Sequence, residues 1–287
     1  MNIPKIKFGE NKITRLIVGG NPFCGNSHFS SQMSQDMSEY YTVEKVVEVL
    51  QQCEAFGINT VQARGDYHRV MYWLELFRRK GGKLHWIAQT ASEMHDIKNN
   101  IRVIAAFGAI GIYFHGSRTD NMWHSGKIDE VQDYLKVMRD CGVQVGLGTH
   151  IPEVIEYTQD KGWDIDFYMA CFYNLNRQIR ESALVSGIET DEKFYKEDPP
   201  KMCKVIRSID KPCLAFKILA AGRSCSSQEE VKAAFKWAFD NIKPTDAVVV
   251  GMFPKYLEQV RLNVEYTTSV SYTHLRAHET SLHLVCR

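Results

Sequence analysis

Eight short apolar runs recur along the chain, and each one ends in a polar residue or a glycine. Near-continuous apolar runs are typical of strands that are buried on both faces, as in a parallel sheet. The runs are RLIVGG before Asn21, INTVQA before Arg64, LHWIAQ with Gln89, IGIYFH with His115, VQVGLGTH with His150, DFYMACFYN with Asn174, CLAFK with Lys217 and AVVVG with Gly251.

Between these runs, apolar residues recur with the 3.6-residue period that predicts amphipathic helices. Alternating strands and helices predict parallel βα units, and eight such units predict a (β/α)8 TIM barrel. A doubly wound sheet is the alternative, but the first run continues into GGNPFCGNSHFS, which lacks the G-x-G-x-x-G turn of that fold. The predicted helices cover 43–56, 70–79, 97–108, 129–142, 153–162, 231–242 and 256–264.

Three segments lie outside this repeat. The opening KIKFGENKITR predicts a hairpin with a glycine-containing turn. The stretch 174–200 has no regular pattern and follows the sixth run, so we expect a lid or a specificity loop there. The end, SVSYTHLRAHETSLHLVCR, resembles translated adapter sequence from metagenomic assemblies. We therefore expect one barrel domain over 1–269, with its last helix truncated, and a non-native tail over 270–287.

Composition excludes several classes of protein. The formal net charge of +1 gives no general attraction to nucleic acid or to anionic membranes. The eight cysteines form no C-x-x-C pair, and the first residues contain no apolar signal segment. We therefore expect a cytoplasmic protein that acts on a small molecule; the sequence does not predict its oligomeric state.

The polar ends of the strands predict the position of the active site, because barrel enzymes bind substrates at the C-terminal face. His115 and His150 end neighbouring strands and should lie close together. Lys217 follows CLAF, where a lysine can form a Schiff base or hold a carboxylate or phosphate. Few carboxylates end the strands to supply a third ligand beside the two histidines, so we predict no metal site.

Several longer segments, taken in their order along the chain, are similar to those of a known enzyme family. These are KIKFGENKITRLIVGGNPF, GINTVQARGDY, GIYFHG, DFYMACFYNLNR, KILAAGR and VVVGMFPKYLEQVRLN. Together they resemble the aldo-keto reductases over most of residues 5–267, from the opening hairpin to the phosphate-binding regions near strands 7 and 8. The resemblance implies a (β/α)8 barrel, carbonyl reduction and NADP(H) as the cofactor.

The resemblance carries over to individual positions only in part. It places Tyr67 at the proton-donating tyrosine and His115 at the histidine that orients the carbonyl. The family's Asp and Lys fall on Gln62 and Gln89, so two neutral amides replace an ion pair. Because a nearby Lys⁺ stabilises a phenolate, its loss leaves either a differently tuned tyrosine or different chemistry. The expected substrate-binding residues are Asn21, Arg64, Asp66, Tyr173 and Asn174.

The cofactor contacts implied by the resemblance lie near the last two strands. Lys255 is expected in the first turn of the final helix, where a cation and free N–H groups favour an anion. The family's Lys/Arg-Ser/Thr pattern is absent from this region, which reads GMFP. The expected NADP(H)-binding residues are Gly222, Arg223, Gly251, Lys255 and Asn263.

The sequence therefore leaves more than one function open. The first is NADP(H)-dependent oxidation or reduction of a small carbonyl or sugar-like substrate through Tyr67 and His115. The second is a non-redox isomerase, lyase or hydrolase that uses His115, His150 and Lys217 on a small polar metabolite. The third is a catalytically silent barrel that binds a metabolite or a partner.

Overall fold

A computed structural model describes residues 2–179 and 192–270, without the side chains of Tyr67 and His68. Strands β1 (Lys5–Phe8) and β2 (Asn11–Thr14) form an antiparallel hairpin. The hairpin turns at Gly9, whose φ of 57° is left-handed and therefore suits glycine. The hairpin predicted from the sequence is confirmed.

Eight parallel strands close into a barrel in the order β10-β3-β4-β5-β6-β7-β8-β9. All eight predicted strands are present, which confirms the (β/α)8 fold. They are β3 (Leu16–Gly19), β4 (Thr60–Arg64), β5 (His85–Gln89), β6 (Gly111–Phe114), β7 (Gln144–Thr149), β8 (Phe167–Cys171), β9 (Cys213–Phe216) and β10 (Ala247–Gly251).

Helices surround the barrel, and their apolar faces pack against the outer side of the strands. No helix in the described ranges is long and apolar enough to cross a membrane. The helices are α1 (Ser31–Tyr40), α2 (Val43–Ala55), α3 (Tyr72–Arg79), α4 (Ile97–Ala106), α5 (Gly116–His124), α6 (Gln132–Asp140), α7 (Pro152–Asp160), α8 (Asp198–Ser208), α9 (Gln228–Asn241) and α10 (259–270).

The hairpin closes the N-terminal end of the barrel. The Phe8 ring packs edge-on against the Phe167 ring, with centroids 4.9 Å apart. Gly111 and Gly146 make room for these rings, since an added Cβ would lie 2.9 Å from Phe8 and 2.3 Å from Phe167. With this end filled by side chains, a ligand can enter only from the opposite face.

Three helices and two boundaries differ from the prediction. Helices α1, α5 and α8 were not predicted. Helices α1 and α5 are largely polar and bury few apolar residues, whereas α8 buries six residues at helical spacing and its first residues were assigned to the irregular stretch 174–200. Helix α8 also begins inside the stretch 174–200, whose residues 180–191 lie outside the described structure. Helix α10 begins at 259 and not at 256, and the Gln259 side chain accepts a hydrogen bond from the backbone N–H of Phe253 (2.7 Å).

Candidate active site

The carboxyl ends of the barrel strands form the candidate site. Side chains alternate along each strand between the interior and the surrounding helices. Tyr113 and Met169 belong to the interior cluster, whereas Phe114 and Ala170 pack under the helices. The same alternation directs the following residues into the mouth of the barrel: Gln62, Arg64, Gln89, His115, His150, Cys171 and Tyr173.

Gln62 and Gln89 do not contact each other directly but are joined through Tyr113. The Gln62 amide nitrogen donates to the Tyr113 hydroxyl (2.7 Å), which donates to the Gln89 carbonyl oxygen (2.9 Å). Burial raises the pKa of Tyr113 well above its usual value, so the phenol keeps the proton that it donates. Gln62, Tyr113 and Gln89 are therefore parts of a neutral hydrogen-bonded chain.

His150 forms a buried pair with Asp120 of helix α5. The His150 Nδ1 lies 2.7 Å from the Asp120 carboxylate, which also accepts hydrogen bonds from the His150 backbone N–H and the Thr149 hydroxyl. The carboxylate is 0% exposed and the histidine 6%. Because a carboxylate only accepts, the proton lies on Nδ1 and Nε2 is left as the basic nitrogen.

His115 directly precedes helix α5, as its N-terminal cap residue. The His115 backbone N–H donates to the Thr90 hydroxyl (3.0 Å). The following residue is Gly116, where an added Cβ would lie 3.3 Å from Cε1 of His150. The imidazole of His150 therefore rests directly against the start of α5, and an added Cβ at Gly116 would be in tight contact with it.

Arg64 and Asp66 are both engaged with neighbouring side chains. Arg64 is buried and forms an ion pair with Glu93. Asp66 caps the π-helical turn Tyr67–Met71, because its carboxylate accepts from the Arg69 backbone N–H (3.0 Å). The side chain of Tyr67 lies outside the described structure, so its predicted role stays a prediction.

A cavity of about 500 Å³ opens on the side of the mouth formed by strands β3, β9 and β10. Gln62 and Phe216 form part of its wall from the barrel interior, and Asn21, His28 and Lys217 form part of its rim. The Phe216 ring also contacts His150, with centroids 5.8 Å apart. The histidine therefore lies directly behind this part of the cavity wall.

Backbone strain is concentrated at this cavity. Within the described ranges, four residues other than glycine have left-handed φ angles: His28, Lys217, Ala220 and Ala221. Three of them, His28, Lys217 and Ala221, line the cavity, and Ala220 lies between the lining residues Leu219 and Ala221. A left-handed residue other than glycine costs about 1–2 kcal/mol, and such strain tends to occur at functional sites.

Lys217 owes its direction to this strain. Ala215, two residues earlier, packs outward under the helices, so strict alternation would direct Lys217 outward as well. With a φ of 61° the chain turns, and the lysine Nζ lies 2.9 Å from the Glu192 carboxylate. The other Glu192 oxygen lies 3.1 Å from Nδ1 of His28, whose Nε2 faces the Asn21 amide nitrogen (3.2 Å).

The two cations predicted to bind NADP(H) phosphates already have partners. Arg223 donates to the backbone carbonyls of His28 and Ala220, and its guanidinium stacks on the Phe194 ring, 4.1 Å from the centroid. Lys255 forms an ion pair with Asp36 of helix α1. Lys255 itself lies in the turn before α10, not in the first turn of a helix as predicted. Gly222, Gly251 and Asn263 do line the cavity.

Tyr173 and Asn174 lie on the remaining side of the mouth. The Tyr173 ring packs against Phe194, with centroids 4.9 Å apart, and burial raises the pKa of its hydroxyl. The Asn174 backbone N–H donates to Asp198 (3.1 Å), and its side chain accepts from the Asn176 backbone N–H (3.2 Å). Asn174 therefore shapes the loop after β8.

Cys171 lies between the two groups of ionisable side chains. Burial raises the pKa of its thiol to about 12, Lys217 opposes this shift, and Glu192 and Asp120 add to it. A thiol with this pKa is protonated at neutral pH and is a poor nucleophile.

Three residues of the site were not predicted: His28, Asp120 and Glu192. His28 and Asp120 follow the first and fourth strands, at the C-terminal face where barrel enzymes place functional loops. Glu192 belongs to the stretch 174–200 that was expected to form a lid. Their position after a strand could have marked His28 and Asp120 as candidate site residues. Nothing in the sequence shows which side chains they contact.

No protein-family model and no curated protein matches the chain. Among solved structures, a truncated 3-deoxy-D-arabino-heptulosonate 7-phosphate (DAHP) synthase from Thermotoga maritima matches with a TM-score of 0.53 and 14% identity, covering 97% of this chain and 93% of that chain. A DAHP synthase structure from the same organism matches with a TM-score of 0.51 and 15% identity, covering 98% of this chain and 74% of that chain.

An N-acetylmannosamine-6-phosphate 2-epimerase from Clostridium perfringens matches with a TM-score of 0.47 and 10% identity, covering 80% of this chain and 86% of that chain. The two matches with a TM-score above 0.5 are DAHP synthases, and neither is an aldo-keto reductase. At these identities the likeness shows the fold alone. The resemblance drawn from the sequence is thus confirmed for the barrel and its hairpin, not for the reductase family.

Proposed function

We propose that this chain is a non-redox barrel enzyme, an isomerase or lyase that moves a proton on a small polar substrate with a carbonyl group. The observation that carries the proposal is the His150–Asp120 pair at the C-terminal end of β7, where Nδ1 lies 2.7 Å from the buried carboxylate. A histidine held in this way presents a basic Nε2 and is stabilised when it takes up a proton.

In the proposed reaction, Nε2 of His150 removes a proton from a carbon next to the carbonyl. The electron pair of the broken C–H bond moves to the carbonyl oxygen, and Asp120 stabilises the imidazolium that forms. In an isomerisation of a hydroxycarbonyl compound, the imidazolium returns the proton to the former carbonyl carbon, while the proton of the neighbouring hydroxyl passes to the former carbonyl oxygen. In a lyase reaction run in the condensation direction, the same enolate attacks the carbonyl carbon of a second molecule, and the oxygen of that carbonyl takes the proton from His150. Positioned proton transfer of this kind contributes about 10²- to 10⁴-fold to a rate.

Lys217 is suited to hold a negatively charged group of the substrate. The registers Thr149↔Ala170 and Ala170↔Ala215 put His150 level with Phe216, one residue before Lys217. Two strand spacings, about 10 Å, separate the histidine and the lysine along the mouth of the barrel. Because the Lys217 ammonium is held in an ion pair with Glu192, we assign Lys217 an electrostatic role and not imine formation.

A screen in D₂O tests this proposal. The purified chain is incubated with hydroxyaldehydes, hydroxyketones and 2-oxo acids, and deuterium incorporation next to the carbonyl is followed by ¹H NMR. We expect protein-dependent exchange with at least one compound class and no requirement for added cofactor. Exchange that appears only after NADP(H) is added would contradict the proposal.

Reduction with NADP(H) is the second candidate, supported by Gly222, Gly251 and Asn263 in the cavity wall. It is weakened by the existing partners of Arg223 and Lys255. Titration with NADPH, followed by its fluorescence, separates the two candidates. We expect no saturable change up to high micromolar cofactor, and tight binding would favour the reductase.

A further inference from the structure

The rim of the cavity holds a carboxylate of the protein itself. One oxygen of Glu192 lies 2.9 Å from the Lys217 ammonium, and the other lies 3.1 Å from Nδ1 of His28. The side chains of Lys217 and Glu192 are only 10% and 7% exposed. Because burial of an unpaired carboxylate costs several kcal/mol, these two partners form a built anion site and not a loose surface contact.

The donors are also aligned for an acceptor. The amide nitrogen of Asn21 can only donate, so Nε2 of His28 accepts from it and the ring proton lies on Nδ1. Lys217 and His28 reach their positions through left-handed backbone, with φ of 61° and 54°. Two strained residues that converge on one carboxylate indicate a site kept for anion binding.

The wall of the cavity has a matching charge. In the described part of the chain, the lining residues include no Asp, Glu or Arg, and Lys217 is the single lysine among them. Glu192 is not among these lining residues; it reaches the two donors from the loop. The wall also carries six side-chain amides, which suit the hydroxyl groups of a ligand: Asn21, Asn26, Gln62, Gln228, Gln259 and Asn263.

We propose that Lys217 and His28 form the anion subsite of the cavity, that Glu192 fills it in the free protein, and that an acidic, polyhydroxylated ligand displaces Glu192. A carboxylate and a phosphate share the required chemistry, so the ligand class is a sugar acid or a sugar phosphate. This inference deepens the proposed function by naming its substrate class.

Calorimetric titration tests the displacement. The probes are gluconate, ribose 5-phosphate and the neutral polyol sorbitol, and the proteins are wild type, Glu192→Gln, Lys217→Met and the double variant. Glu197→Gln is the control, because it removes an exposed carboxylate from the same loop. We expect Glu192→Gln to bind at least one acidic probe about tenfold or more tightly than wild type, which corresponds to about 1.4 kcal/mol.

Sorbitol should show no such gain, Glu197→Gln should behave as wild type, and the double variant should lose the gain. The acidic probe that gains affinity identifies the anion as a carboxylate or a phosphate. The inference is wrong if Glu192→Gln binds neither acid more tightly, if sorbitol gains equally, or if the gain persists without Lys217. Glu192→Asp, whose shorter side chain cannot reach both donors, provides the same comparison if Glu192→Gln does not fold.

Binding is measured here without turnover. Failure of the anion subsite would therefore leave proton exchange by His150 intact. Failure of proton exchange, in turn, would not remove the gain in binding.

Discussion

The mouth of the barrel has two unlike sides. On the side of β4 to β7, polar groups are held in place by buried hydrogen bonds: Tyr113 joins two glutamines, and Asp120 holds His150. On the side of β3, β9 and β10, a cavity of about 500 Å³ is bordered by left-handed residues and by the Lys217–Glu192 ion pair. The first side is rigid and close packed, whereas the second has space and strain.

This difference suggests that one side of the mouth transfers the proton and the other side binds the ligand. A proton-transferring group needs a fixed orientation, which a buried carboxylate supplies to His150. A ligand-binding region needs room and groups that can exchange partners, which the cavity and the Glu192 contact supply. Phe216 belongs to both sides, because it lines the cavity and contacts the His150 ring.

The largest expected effect is on the rigid side. Asp120→Asn keeps the shape of the side chain but removes the charge that fixes the His150 tautomer. We expect proton exchange to fall about 10²- to 10⁴-fold and the free energy of unfolding to fall by about 1–3 kcal/mol. The NMR exchange assay and urea denaturation measure these two quantities.

Asp129→Asn is the matched control for that variant. Asp129 accepts a hydrogen bond from the Tyr157 hydroxyl (2.9 Å) at an exposed position. Both measurements should stay close to wild type, with a stability change within about 0.5 kcal/mol. If the exchange rate and the free energy of unfolding fell equally in both variants, the buried His150–Asp120 pair would have no special role.

A smaller effect is expected from the neutral chain of hydrogen bonds. Tyr113→Phe leaves the Gln62 nitrogen and the Gln89 oxygen without their partner, so we expect a loss of about 1–3 kcal/mol in urea denaturation. Tyr157→Phe should change stability by no more than about 0.5 kcal/mol, because that hydroxyl is at the surface. Adding Gln62→Leu to Tyr113→Phe should recover part of the loss; a further loss would contradict this account.

The smallest effect is expected on the side of the cavity with left-handed residues, where the substitution should raise the free energy of unfolding instead of lowering it. Ala221→Gly should raise the free energy of unfolding by about 0.5–1 kcal/mol, because relief of the left-handed φ of 52° outweighs the added chain entropy. The same change at Ala233, exposed in α9, should lower stability by about 1 kcal/mol. Thermal or urea unfolding that shows the same sign at both positions would rule out strain at the cavity.

The sequence predicted the barrel because burial on both faces leaves a continuous apolar run, and each run ends at the functional face. That pattern placed His150 and Lys217 directly after two barrel strands, which are β7 and β9 in the structure. It could not predict helix α5, since GSRTDNMWH lacks a clear apolar face, and so the buried partner Asp120 was missed. Helix α1 was missed for the same reason, because Met37 is its single buried residue in the described structure.

The contacts of His28 with Glu192 and of Lys217 with Glu192 could not be predicted from the local sequence pattern, for another reason. They join residues 164 and 25 positions apart, and all three residues lie outside the helices and strands. Hydrophobic periodicity carries no information about such pairs. The left-handed turn at Lys217 was equally hidden, since lysine rarely adopts that conformation.

The most direct test of the central claim is the rate of carbon–hydrogen exchange in D₂O for wild type, His150→Gln and His85→Gln, without any cofactor. His85 begins β5, at the opposite end of the barrel, and serves as a matched histidine. We predict that His150→Gln loses about 100-fold or more of the exchange rate while His85→Gln keeps the wild-type rate. Equal rates in all three proteins would contradict the assignment of His150 as the proton-transferring group.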